Sequence, residues 1–125
     1  MNDSEIGAGL PSTDRYRYAD LVGDRLYVAG QVPLSAQGVM AAGVTAQVRQ
    51  CLDNLETLVS VRGFTMDDVH RLTVYVAGDR TLLLEAWGAV AEWFGGEVPP
   101  ATLLGVAALG HAGQLVEVGA TVEAS

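Results

Sequence analysis

One stretch of this chain repeats its apolar residues at helical spacing with little ambiguity. Val48, Cys51, Leu52, Leu55, Leu58 and Val59 fall on an i, i+3, i+4, i+7 stripe. Gln47, Arg49, Gln50, Asp53 and Glu56 lie opposite, and Gly63 is placed to stop the helix in a left-handed conformation. Residues 71–77 alternate instead, which predicts a strand with Leu72, Val74 and Val76 facing a core. Beyond Gly78 and Asp79, Leu83, Trp87, Val90 and Phe94 return to helical spacing. Asp79 or Thr81 can cap that second helix, and Gly95-Gly96 with Pro99-Pro100 end it. Upstream, residues 16–20 and 25–29 are rich in Tyr, Leu and Val and are separated by Gly23-Asp24, which predicts a hairpin. Residues 34–43 read as a loop. Two last strands, 102–109 and 114–123, meet around Gly110-His111-Ala112-Gly113.

The resulting order is β-β-α-β-α-β-β, an α+β two-layer sandwich with both helices on one face of a mixed sheet. Residues 1–14, with Gly7, Gly9 and Pro11, read as a loose N-terminal segment, and 15–125 as one domain. In the last strand Val116, Val118, Ala120 and Val122 share the parity that suits the helices. Leu115, Glu117, Gly119 and Thr121 face the other way, as do Arg71, Thr73 and Tyr75 in their strand. Nothing in the chain remains to cover that second face, so self-association is expected.

Composition narrows the function classes. The chain has 125 residues, 50% of them hydrophobic, which suits a single folded domain with a real core. Its seven basic residues are all arginine against fifteen acids, a net charge of −8 that repels phosphate backbones, so no nucleic-acid partner is expected. Without lysine there is no Schiff-base chemistry and no pyridoxal-phosphate anchor. A single cysteine, and two histidines without ligand spacing, give no support for a disulfide or a metal, and no cofactor is expected. No apolar run approaches the roughly 20 residues of a membrane helix, and the acidic N-terminus lacks a signal-peptide pattern; the expectation is a cytoplasmic protein with no membrane partner. Cys51 reads as an inert core thiol, and His70 and His111 as exposed.

Three blocks in order resemble one family. They are residues 22–31 (VGDRLYVAGQ), residues 47–55 (QVRQCLDNL) with 68–76 (DVHRLTVYV), and residues 99–109 (PPATLLGVAAL) followed by Val116-Glu117-Val118. The chain is similar in these to the Rid (YjgF) family of reactive-intermediate deaminases, some of whose members carry an endoribonuclease label. The resemblance runs from Tyr16 to the C-terminus. It implies a chorismate-mutase-like fold, a homotrimer whose sheets form a central barrel, and three clefts between subunits that each take a small-molecule metabolite.

The resemblance also assigns roles. The family's water-positioning glutamate falls on Glu117, its cleft tyrosine on Tyr16 or Tyr18, and its substrate-holding backbone turn on Ala29 and Gly30. A cleft asparagine corresponds to Trp87, and Thr102 can offer its hydroxyl. The arginine that clamps the substrate carboxylate in deaminating members is replaced by Ala101. A desolvated charge pair of that kind is worth on the order of 2–5 kcal/mol, so efficient hydrolysis of 2-imino acids is not expected. Arg71 shares the Glu117 face, where it could contact ligand or pair with Glu117; Arg25 is a second candidate for such a pair. Two functions follow from the resemblance: an enzyme acting on a small imine, enamine or related carbonyl-derived intermediate through Glu117, or a non-catalytic metabolite-binding homotrimer.

Overall fold

A computed structural model describes residues 2–125. Its elements are α1 (Asp3–Gly7), β1 (Ala19–Val22), β2 (Arg25–Val28), α2 (Val44–Val61), β3 (Val69–Val76), α3 (Arg80–Phe94), β4 (Ala101–Gly105) and β5 (Val116–Glu123), with one 3-10 turn at Met66–Asp68. The strands form one sheet in the order β1-β2-β5-β3-β4. Neighbours are antiparallel except β3 and β4, which are parallel and joined across α3. The α+β two-layer architecture expected from the apolar pattern is the one found.

The helix face holds the core. Leu72, Val74 and Val76 of β3 and Val116, Val118 and Val122 of β5 are buried with the α2 stripe and with Ala86 and Val90 of α3. At 0.8 kcal/mol or so per buried methylene, this continuous aliphatic layer is the main source of stability. α2 ends at Gly63, whose φ of +85° lets Phe64 N–H return to Val59 O at 2.8 Å. Asp79 caps α3 by accepting from Leu82 N–H at 3.1 Å. In α3 the fully buried residues are the small ones, Ala86 among them, while Leu83, Trp87 and Phe94 pack around them half-buried. No helix among the described residues is long and apolar enough to cross a membrane.

Four expectations change. The N-terminal segment is not loose, because α1 packs against α2 and its Glu5, 1% exposed, meets Arg62 Nε at 2.6 Å. β1 starts at Ala19 rather than residue 16, since Asn2 binds the Tyr16 carbonyl and the Tyr18 N–H with its side chain, each at 3.0 Å. β4 stops at Gly105, opposite Val76, where its neighbour β3 ends and pairing partners run out. Gln47 is not on a solvent face. It is 1% exposed, with Nε2 donating to Ala41 O (3.0 Å) and Gly113 O (2.9 Å) and Oε1 accepting from Leu115 N–H (2.7 Å) and Val116 N–H (3.2 Å).

Gln47→Leu keeps the volume but strips four backbone groups of their partner, each worth about 1 kcal/mol when left unmade. Urea unfolding should show a loss of about 3 kcal/mol with an unchanged slope. A loss below about 1 kcal/mol would mean these groups find water instead.

Candidate functional site

On the open face of the sheet, β5 carries Glu117 between β2 and β3. Glu117 alternates with the buried Val116 and Val118 and lies across from Tyr75 in the β3 register. On its other side the chain leaves the regular β2 ladder. Tyr27 pairs with Thr121, and the next bridge is Gln31 with Val118, four residues on one strand against three on the other. The extra residue makes a bulge that pushes Gly30 toward Glu117. A Cβ on Gly30 would sit 2.3 Å from Glu117 Oε2, so any side chain here would have to displace the carboxylate from this position. The bridge is anchored by Gln31 N–H on Val118 O at 2.7 Å and by the Gln31 amide on Ala29 O at 2.8 Å.

Tyr16 completes this patch. Its ring is 40% exposed, and its phenol is held above the ordinary tyrosine value, first by burial and then by the charges of Glu117 and Asp14. Glu117 Oε1 accepts from Gln114 Nε2 at 3.2 Å. Behind the sheet, Cys51 is fully buried on α2, its thiol pushed up by burial and by the Glu117 charge. It is an inert thiol by position.

The other expected site residues separate from this patch. Tyr18 is a core residue and not a cleft wall: it is 4% exposed, donates its hydroxyl to Pro11 O, and burial pushes its pKa up to about 12. Trp87 sits in the helix layer, half-buried against the core. Ala101 opens β4, exposed, in register with Leu72. Thr102 accepts from Arg71 Nη2 at 2.8 Å. Arg71 is in register with Thr121, four residues along β5 from Glu117, a span of about 13 Å. Arg25 pairs with Glu123 at 3.0 Å. Neither arginine engages Glu117. One chain therefore gathers Glu117, Gly30, Tyr16 and Gln114 in one patch, and Arg71, Thr102 and Ala101 in another. A cavity of about 620 Å³ lined by His70, Phe94 and Pro100 lies at the opposite end of β3 from Glu117.

Gln31 and Gln114 were not legible as site residues from pattern alone. A polar residue beside a glycine in a strand, or just before an apolar strand, carries no signal until the bulge and turn are known.

The fold and patch define an α+β domain with an exposed sheet face and a glycine-floored carboxylate at a strand bulge. The family model for endoribonuclease L-PSP matches residues 8–124, and the chain belongs to that family, the Rid (YjgF) proteins. A RutC family protein of Sulfurisphaera tokodaii is 33% identical over 88 residues, 69% of each chain. The 2-iminobutanoate/2-iminopropanoate deaminase of Escherichia coli K12 is 36% identical over 56 residues, 44% of each. The crystal structure of the Rid family protein YyfA from Yersinia pestis superposes with a TM-score of 0.83 at 25% identity, covering 94% of each chain.

Two outcomes follow from this geometry. Gly30→Ala should displace the Glu117 side chain while leaving the fold intact, seen as changed Glu117 resonances within an otherwise conserved NMR spectrum. In Glu117→Gln, removing the negative charge should lower the Tyr16 titration midpoint toward that of free tyrosine, read from the ring carbon shifts; an unmoved midpoint would show that the two groups do not sense each other.

Proposed function

We propose that this protein is a homotrimeric Rid-family hydrolase of small imines or enamines that carry no carboxylate, acting in the cytoplasm with clefts between subunits. The observation that carries the reading is Glu117 seated on Gly30 with no arginine beside it. Water bound against the carboxylate attacks the imine carbon, and Glu117 takes its proton. This forms a carbinolamine; the same proton then passes to nitrogen, and as the C–N bond breaks Glu117 takes the hydroxyl proton, releasing an amine or ammonia and a carbonyl compound. The Ala29 N–H is taken by Tyr18 O, so a developing oxyanion falls to the Gly30 amide.

Charge decides the substrate class. Two carboxylates about 5 Å apart repel by roughly 3 kcal/mol at an effective dielectric of 20, while a protonated imine at that distance is attracted as strongly. A family cleft with arginine reverses that preference; one with Ala101 does not. The Glu117 patch and the Ala101 patch lie apart on one chain and come together across a subunit interface in this reading. The bare sheet face supports that assembly.

Imine hydrolysis by wild type, Ala101→Arg and Glu117→Gln tests this directly, with carboxylate-free imines beside 2-imino acids, and light scattering reports the mass. Wild type should favour the carboxylate-free substrates, and Glu117→Gln should lose on the order of 100-fold or more. Ala101→Arg should gain activity on 2-imino acids. Ligand binding without turnover in any form would instead establish a non-catalytic binder.

A further inference from the structure

Gln114 lies in the turn that leads into β5, and its side-chain amide is 5% exposed. The turn closes with Gln114 N–H on His111 O at 3.1 Å and uses Gly113 at a φ of +78°, a conformation that favours glycine. Gln114 Oε1 accepts from His111 N–H at 3.1 Å and faces His111 Nδ1 at 3.2 Å. Gln114 Nε2 donates to Val116 O at 3.0 Å and to Glu117 Oε1 at 3.2 Å.

These contacts remove the usual freedom of an amide to flip. A backbone N–H can only donate and a backbone carbonyl only accept, so His111 N–H fixes the oxygen end and Val116 O fixes the nitrogen end. One of the two amide protons goes to Val116. The other is left pointing at Glu117, and a flip would break both backbone contacts at once. Gln47 braces the same turn from behind through Gly113 O. Oε1 of the carboxylate is thus held by the Gln114 amide, while Oε2 lies in the space that a side chain at Gly30 would fill.

We infer that Gln114 is the positioning residue of the site: its backbone-locked amide holds the Glu117 carboxylate in the orientation that aims it at the cleft. The role acts through Glu117 and needs no contact with substrate. Tyr16, Tyr75 across the ladder, and Cys51 behind the sheet are the other titratable groups around the carboxylate. None of them has a hydrogen bond to it, so orientation falls to Gln114.

The kinetic arm of the test rests on the imine-hydrolase reading. Gln114→Leu should lower kcat on the order of tenfold to hundredfold with KM within about twofold, as misplacing a reacting group by an ångström does. Gln114→Glu separates positioning from mere packing. Protonated, the new carboxyl group is a neutral donor that replaces the amide; ionised, it sets a second carboxylate against Glu117. The ratio of its activity to that of wild type should approach one at the acidic end and fall as pH rises. An unchanged pH profile, or a loss equal at every pH, overturns the inference.

A substrate-free measurement keeps the two readings apart. In the NMR spectrum of Glu117→Ala, one of the two Gln114 side-chain amide protons should move upfield while its geminal partner on Val116 stays. If wild type turns over no imine yet this shift occurs, the function fails and the positioning stands. If neither amide proton moves, the positioning fails whatever the kinetics.

Discussion

The Gln47 side chain is the constraint on which the rest of this structure depends. It ties the first turn of α2 to the loop at Ala41, to the turn at Gly113 and to the first amides of β5. β5 is the central strand, paired on both sides, and it alone presents Glu117. A slip of one residue in β5 would put Glu117 among the helices and Val118 in the open. The apolar alternation opposes such a slip, but alternation repeats every two residues. The Gln47 contacts, made to two particular amides, select one register from the set.

The site then follows from one irregularity in the neighbouring strand. Had β2 continued in regular pairing beside β5, a flat ladder would run past Glu117 with no approach of backbone to carboxylate. The extra residue between Tyr27 and Gln31 bends the chain so that Gly30 lies under Oε2. On the other edge of β2 the hairpin register continues one position past Ala19–Val28, with the Ala29 N–H on Tyr18 O at 2.8 Å. Tyr18 is therefore needed where it is, inside the core, and Tyr16 two residues earlier emerges beside Glu117. Both tyrosines precede β1, so their different burial is set by the irregular segment pinned by Asn2 and not by strand alternation.

Much of the layer architecture was readable in the chain because aliphatic periodicity is a local signal. Val48 to Val59 and Leu72 to Val76 announce a helix and a strand without reference to anything else. The open-face parity of Glu117, Arg71, Thr73 and Tyr75 was readable for the same reason. What could not be read was polar residues serving distant backbone. Gln47 looks like surface on a helical wheel, and three of its four partners lie 66 to 69 residues away. Glu5 and Asn2 look like a frayed terminus until Arg62 and Tyr18 are placed beside them. Resemblance supplied the identity of the Glu117 and Gly30 positions, but not that Tyr18 is core or that Arg71 and Glu117 are kept apart.

That separation bears on the proposed chemistry as directly as alanine at position 101 does. Arg71 shares a sheet face with Glu117 and could in principle restore a cation to it. The register forbids this, since Arg71 is opposite Thr121, four residues along β5 from Glu117, and its guanidinium is engaged by the Thr102 hydroxyl across the parallel β3–β4 pair. Releasing it would mean giving up that hydrogen bond and reaching along the strand for a carboxylate already held by Gln114. The other cationic candidate, Arg25, lies farther off, paired with Glu123 at the far end of β5. The negative character of the Glu117 patch is therefore a property of strand register, set by the same pairings that build the sheet. A change at Ala101 alone would alter a different patch of the same chain.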